Sequence, residues 1–297
     1  MGTEADPPPL ALSVARLRFR ASSEGRLPAF PGSAWRGAFG WALKRLVCVM
    51  RQRPCEGCPL QATCLFPALF AGEPAPDSAV PRRLARAPAP FALRPPPAGP
   101  TRVGPGDPVA LETTLIGRGT RWRAYVVRAL QEAGAHGLGA DRVRLALERV
   151  EEIEPAPPAW SDHGALRLRF VTPLRLKRDG RHVGPQAFRP ADVLMALVRR
   201  TGALDRLQEG ARMALDPRAC RSAAEALGWR HLDVRWQDTV RRSSRQDAVL
   251  RMGGLVGEAV LDARPVRAFR PVLAAAPWIG VGAGVTMGLG QVRIEAA

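Results

Sequence analysis

Between Leu10 and Arg20 the chain alternates, with Leu10, Leu12 and Val14 on one side and then Leu17 and Phe19 interleaved with Arg16, Arg18 and Arg20. A period of two predicts a strand with one buried and one basic face. Pro31-Gly32-Ser33 follows as a turn with Ser33 as helix N-cap. To about Val47 the period is that of a helix, with Trp35, Phe39, Ala42, Leu43 and Leu46 sharing a face. Arg36, Gly40 and Lys44 fall at i, i+4 and i+8 on another face, two cations flanking a glycine where a nucleic-acid backbone can come close. Residues 71–108 are rich in proline, Pro95-Pro96-Pro97 among them, and predict irregular structure. Order resumes with a strand over Val109–Ile116, then a helix through Trp122, Tyr125, Val126, Ala129 and Leu130 that ends near Gly134. Val143, Leu145 and Leu147 mark a further strand.

Pro155-Ala-Pro-Pro158 reads as a linker, and beyond it the pattern starts again. Leu166-Arg-Leu-Arg-Phe170 echoes Leu17-Arg-Phe19, and Pro190 opens a helix through Val193, Leu194, Leu197 and Val198. Strands over His231–Val240 and Ala248–Leu261 flank a basic tip, Arg241-Arg242-Ser243-Ser244-Arg245. A short apolar helix over 265–276, a glycine-rich loop and a last strand at Gln291–Ile294 close the chain. Each half therefore reads βαββαβ, the split βαβ motif that RNA-recognition modules also use. The expected fold is α+β: two tandem ferredoxin-like (RRM-like) domains with a C-terminal glycine-rich loop. Residues 1–154 form the first domain, with a cysteine cluster and a proline-rich insertion; residues 155–297 form the second.

The 297 residues suffice for two domains that each bury a core. No apolar run reaches the length of a membrane span, and the first residues lack the basic-then-apolar order of a secretory signal, so the cytoplasm is expected. Charge adds more. The formal net charge is +17, and Lys44 and Lys177 are the only lysines, so nearly all the positive charge is arginine. GC-rich coding accounts for part of an arginine bias, but the net excess predicts a polyanionic partner. Guanidinium forks bind phosphate bidentately and stack on bases. RNA or DNA is favoured over a membrane surface, because no basic helix with a lipid-seeking face is present.

Five glycines fall between Gly280 and Gly290. Such a loop takes positive φ freely, and a row of exposed N–H groups in it makes a concave anion site. Gly282, Gly284, Gly288 and Gly290 are the candidate RNA contacts; a bend with only structural duties is the alternative. The loop is neither a Walker loop nor a dinucleotide fingerprint, since both need their glycines between a strand and a following helix.

Cys48, Cys55, Cys58 and Cys64 lie within one short stretch around a Cys55-x-x-Cys58 centre. Reduced thiols at this spacing predict a structural Zn²⁺ site, with an iron–sulfur cluster as the alternative use of the same ligands. Cys48 as a buried helix-end residue leaves three ligands. Cys220 stands alone in a helical stretch and reads as core.

Four segments, in order, resemble a known family. The ending Gly280-Val-Gly-Ala-Gly-Val-Thr-Met-Gly-Leu-Gly-Gln291 is similar to the hallmark loop of the RAMP superfamily of CRISPR-associated proteins. Pro31-Gly-Ser-Ala-Trp-Arg-Gly-Ala-Phe-Gly-Trp-Ala-Leu-Lys44 resembles the first helix of its repeat-processing endoribonucleases. Cys55-Glu-Gly-Cys-Pro-Leu-Gln-Ala-Thr-Cys64 and the segment from Ser243 to Gly257 fit the same group.

The resemblance implies cleavage of a CRISPR precursor transcript within each repeat hairpin, without a catalytic metal. The 2′-hydroxyl attacks the adjacent phosphate in line and leaves a 2′,3′-cyclic phosphate and a 5′-hydroxyl. Such chemistry needs a base, an acid and cations for the phosphorane charge. Many relatives carry a histidine in or near the first helix; this chain has Trp41 there, and its histidines are His136, His163, His182 and His231. His182, in the basic stretch Lys177-Arg-Asp-Gly-Arg-His182, is best placed by charge, and Arg36 and Arg242 are the candidates for electrostatic catalysis. Each also reads as a plain RNA clamp or a surface group. Lys44, Lys177, Arg178, Arg181, Arg189, Arg241 and Arg245 are candidate clamps on an A-form stem. The partners implied are the repeat hairpin, the crRNA product and other effector-complex subunits. The rival reading is a non-catalytic crRNA-binding subunit of an effector complex, and a weaker third is a zinc-stabilised DNA-binding protein.

Overall fold

The computed structural model describes residues 8–51, 53–71, 88–97, 102–158, 160, 163–206, 213, 216–243 and 248–297. The chain divides into two compact units, mainly Ala11–Glu154 and Pro155–Gly202 with Met213–Ala297. Both are mixed α/β units built on antiparallel sheets, each with its own apolar core.

The N-terminal unit runs β1 (Leu12–Ala21), β2 (Gly25–Arg26), α1 (Gly32–Val47), β3 (Phe91–Arg94), β4 (Arg102–Val103), β5 (Pro108–Ile116), α2 (Arg123–His136) and β6 (Leu145–Ile153). Its four-stranded sheet has the order β3-β5-β1-β6, and the short β2 pairs with β4. The alternation in β1 does what its period requires. Ala15, Leu17, Phe19 and Ala21 enter the core with Trp35, Phe39 and Leu43 of α1 and Val126, Ala129 and Leu130 of α2. The Phe19 and Trp35 rings meet at 5.1 Å.

Three local expectations change. Helix α1 starts at Gly32 with Pro31 in αR geometry and no side-chain cap, so Ser33 lies inside the first turn and is not the N-cap. Leu46 is exposed, because α1 has passed the edge of the core there. The proline-rich stretch contains β3, whose Phe91, Ala92 and Leu93 are all buried. A four-residue strand covered on both faces has no alternation to read.

The C-terminal unit runs β7 (Ala165–Leu174), β8 (Lys177–Arg178), β9 (Arg181–His182), α3 (Pro190–Leu204), α4 (Pro217–Glu225), β10 (His231–Gln237), β11 (Val240–Ser243), β12 (Ala248–Arg251), β13 (Gly254–Asp262), α5 (Arg270–Ile279) and β14 (Val292–Ala296). The sheet order is β10-β13-β7-β14, with β8/β9 and β11/β12 as separate two-stranded ribbons. The strands expected over 231–240 and 248–261 each break in two, so that Arg241 and Arg242 of the basic tip sit on a ribbon of their own. Helix α5 is set later than the 265–276 expected, because residues 267–269 form a 3₁₀ turn ahead of it. Cys220 is buried in α4, whose start is capped by Asp216 accepting from the Arg218 N–H at 2.8 Å.

All five glycines from Gly280 to Gly290 have φ between 64° and 85°. The loop folds onto β7: the N–H groups of Ala283 and Gly290 donate to the carbonyls of Arg175 and Pro173 at 3.0 and 3.1 Å. Thr172 Oγ1 donates to the Gly288 carbonyl at 2.8 Å and accepts from the Gln291 N–H at 2.9 Å. A Cβ on Gly290 would stand 1.8 Å from the Val281 carbonyl oxygen, whereas one on Gly57, also at positive φ, meets nothing within 4 Å. Gly290→Ala is therefore expected to lower stability by about 3 kcal/mol or more and Gly57→Ala by about 1 kcal/mol. Urea denaturation of the two variants beside the parent protein checks the contrast.

Candidate functional site

The basic face expected on β1 is largely neutralised. Arg16 bonds Glu112 at 2.6 Å, Arg18 bonds Glu151 at 2.6 Å and Arg20 bonds Glu148 at 2.7 Å, all across strands. The Arg18 hydrogen bond holds the Glu151 carboxyl below the usual carboxylate range. In the C-terminal unit Arg167 and Arg169 lie 3.9 and 3.6 Å from Glu258. The outward faces of β1 and β7 thus carry arginine–glutamate lattices.

On α1, Arg36 and Lys44 are half-buried. The space over Gly40 is not open to a nucleic acid, because a Cβ there would stand 2.5 Å from the Phe70 ring. Phe70 packs against Phe39, Phe66 and Phe91, and the Arg36 guanidinium caps it at 4.5 Å. Gly40 therefore admits an aromatic side chain of its own unit.

At the end of α1 lies a grouping that spacing alone did not reveal. Trp41 is exposed, and the His136 ring, on the last residue of α2, stacks on it at 3.9 Å and 16°. Arg45, one turn after Trp41, places its guanidinium 5.0 Å from the indole centroid. Arg142 Nη2 lies 2.6 Å from His136 Nε2. A guanidinium only donates, so Nε2 accepts and the ring is neutral with its proton on Nδ1. Burial, then Arg142, then Arg45 push the His136 pKa down. Arg142 is one of two non-glycine residues with positive φ (54°) among the described residues. Its carbonyl fills the Cβ position of Gly137, and Leu138 bridges Val143, so the turn between α2 and β6 holds the arginine against the ring. The signal open to sequence reading was the pairing of a histidine after a helix with an arginine six residues on; its meeting with Trp41 is tertiary.

In the C-terminal unit the basic stretch forms the β8/β9 ribbon, turned by Asp179 and Gly180 at φ 52° and 78°. Lys177, Arg181 and His182 are exposed on it, and Arg189 is exposed just before α3. Arg178 is committed internally, bonding both oxygens of Asp192 at 3.1 Å and the Ala187 carbonyl at 2.9 Å, so it pins the ribbon to α3. His182 Nε2 lies 3.2 Å from Arg175 Nη2, with Trp236 edge-on at 6.1 Å. Arg241 and Arg242 lie on β11, and Arg245 falls outside the described residues. In the glycine loop the N–H groups of Gly288 and Gly290 are spent on Val285 and Pro173, so the expected row of free amides narrows to the half-exposed stretch around Gly282 and Gly284.

The four clustered cysteines are free and half-buried. The Cys58 N–H closes on the Cys55 carbonyl at 3.1 Å around Gly57, giving a knuckle-like turn. Burial pushes the Cys55 thiol up, Lys44 opposes this, and Cys48, Cys64 and Cys58 add to it. The donor chemistry suits Zn²⁺, but among the described residues no three His, Cys, Asp or Glu side chains are gathered to hold an ion.

Residues 10–167 match the AF_1859_N N-terminal domain, and residues 168–292 match the CRISPR-associated endoribonuclease Cas6. Residues 168–292 of the chain thus belong to the Cas6 family. The chain is an endoribonuclease that cleaves CRISPR precursor RNA. No curated protein matches it. Among solved structures it is similar to a Cas6 product complex, at TM-score 0.60 and 21% identity over 96% of this chain and 100% of that one. Thermus thermophilus Cas6 gives 0.53 and 19% over 96% and 98%. A chain of a partial Cas6-RT-Cas1–Cas2 complex gives 0.57 and 11% over 98% of this chain and 47% of that one. These likenesses are of fold.

The stack and its two cations are testable directly. His136 is expected to titrate below free imidazole in side-chain NMR, and Arg142→Asn, which tolerates positive φ, to raise the midpoint by removing one cation.

Proposed function

We propose that this Cas6 protein cuts within the repeat hairpin by in-line attack of a 2′-hydroxyl on the adjacent phosphate. The P–O5′ bond breaks, leaving a 2′,3′-cyclic phosphate and a 5′-hydroxyl, and no metal ion takes part. The observation that carries the reading is the match of residues 168–292 to the Cas6 endoribonuclease, on a chain whose net charge of +17 suits a polyanionic substrate. We read each unit as a ferredoxin-like βαββαβ half, supported by sheet orders in which the first strand of each unit lies between the third and the fourth. Exposed Lys177, Arg181 and Arg189 are positioned to grip the phosphates of an A-form stem. We assign the same role to Arg241 and Arg242 of β11 and to Arg245, which falls outside the described residues. Arg178 leaves this group because Asp192 holds it. Arg36 and Arg242 are candidates for stabilising phosphorane charge, and His182 for proton transfer. Retention of the product crRNA, in the cytoplasm and among effector subunits, completes the reading; one fold neighbour is itself a chain of a complex with Cas1 and Cas2. No described helix is long and apolar enough to cross a membrane.

Incubation with a transcript of the host's own CRISPR repeat, in EDTA, tests the chemistry. Cleavage is expected to persist in EDTA and to disappear when the nucleotide before the cut is 2′-deoxy. Tight binding without cleavage would return the chain to the rival reading of a non-catalytic crRNA-binding subunit.

We carry Zn²⁺ as a structural proposal for Cys48, Cys55, Cys58 and Cys64, requiring the segment between them to close on the ion. Metal analysis of the purified protein is expected to give about one zinc per chain, lost in the Cys55→Ser/Cys58→Ser variant. Zinc-free protein with four titratable thiols would end that proposal.

A further inference from the structure

His136 sits in surroundings that a merely structural histidine does not need. Its ring is exposed to solvent, lies flat on Trp41, and has Arg142 at 2.6 Å from Nε2 and Arg45 beside the stack. Among the described residues no carboxylate bonds to it, so the ring is oriented by an indole and faced by two cations. Cations beside a neutral imidazole gain nothing from it as a charge partner. They do create a pocket of positive potential where an anion docks. Arg142 is held there at a left-handed backbone angle, φ 54°, a conformation disfavoured for a residue with a Cβ. Local strain of this kind is commonly retained where a side chain has to be placed for a task.

We propose that His136 is the general base of the cleavage reaction, with Trp41 as the residue that positions its ring and Arg142 and Arg45 as the cations that receive the scissile phosphate. The inference rests on the endoribonuclease reading above and assigns its proton-transfer residue to the end of α2, in place of His182. In the resting protein Arg142 occupies the Nε2 lone pair. When the phosphate docks, the guanidinium turns its fork to the phosphate oxygens, for which it has the matching geometry, and Nε2 is released. The 2′-hydroxyl then gives its proton to Nε2 as its oxygen bonds to phosphorus. The P–O5′ bond breaks, the 5′-oxygen takes a proton from water, and the imidazolium returns its proton to solvent. The products are the 2′,3′-cyclic phosphate and the 5′-hydroxyl. Stacking on Trp41 fixes the ring plane without using either nitrogen, which leaves the base free to turn over.

Single-turnover cleavage of the repeat transcript by wild-type, His136→Ala and Trp41→Leu proteins tests the assignment. Binding to the same RNA with a 2′-deoxy nucleotide at the cut runs in parallel. His136→Ala is expected to slow cleavage about 100-fold or more while Kd for the uncleavable RNA stays within about threefold. Added imidazole is expected to restore part of that rate. Trp41→Leu is expected to slow cleavage about tenfold while leaving a pH-dependent rate, since the base is present but less well placed. His136→Ala cutting within about threefold of wild type would overturn the assignment. So would a parallel loss of binding and cleavage without imidazole rescue, which would make His136 a clamp. A wild-type protein that binds the repeat and leaves it intact would instead overturn the endoribonuclease reading, and this inference with it.

Discussion

At Gly290 the carbonyl oxygen of Val281 occupies the place where a Cβ would stand. That exclusion sets the closing geometry of the C-terminal unit. The loop turns twice at left-handed glycines, returns its amides to Arg175 and Pro173, and sets β14 antiparallel against the central strand β7. Gly282 presses in the same way on the Arg175 carbonyl, at 2.5 Å for a Cβ, and Gly280 and Gly284 on Val285 and Leu289. Without side chains at these places the strand end and the loop pack backbone to backbone. The anion-binding potential of a glycine-rich loop is correspondingly reduced, since an amide bonded to a carbonyl is not available to a phosphate.

Electrostatics are distributed by a similar rule of prior commitment. The arginines of β1 and β7 look in sequence like one continuous basic stripe, yet they face glutamates brought from β5, β6 and β13. Cross-strand pairing of this kind is modest in energy at exposed sites. Its effect is to assign charge: the arginines on sheet faces are occupied, while Lys177, Arg181 and Arg189 stand exposed. Arg178, beside exposed Lys177, belongs to the occupied class through Asp192.

Trp41 shows what one flat side chain on a helix surface can gather around it. A tryptophan on the exposed side of α1 cannot transfer protons, but its face is a platform on which a flat ring can rest. The ring that rests there comes from the far end of α2 and is steered by a turn whose arginine carries positive φ. The packing of α1 beside α2 brings the two rings together.

The alternation of β1 and β7 and the helical periods of α1, α2 and α3 were legible in sequence because each is a local periodicity read against burial. So were the family, carried by the glycine-rich ending and the first helix, and the charge that points to RNA. Strand β3 was not legible, since a strand buried on both faces shows no period. The duty of Gly40 was hidden because Phe70, which fills its space, lies far along the chain beyond the cysteine cluster. Neither the neutralisation of the arginine stripes nor the meeting of Trp41, His136 and Arg142 could be read from spacing, because both depend on which strands and helices become neighbours. Sequence determined the elements, the partner's charge and the family. The tertiary structure decided which cations stay exposed and which histidine has company, because contacts between residues distant in the chain are set by packing.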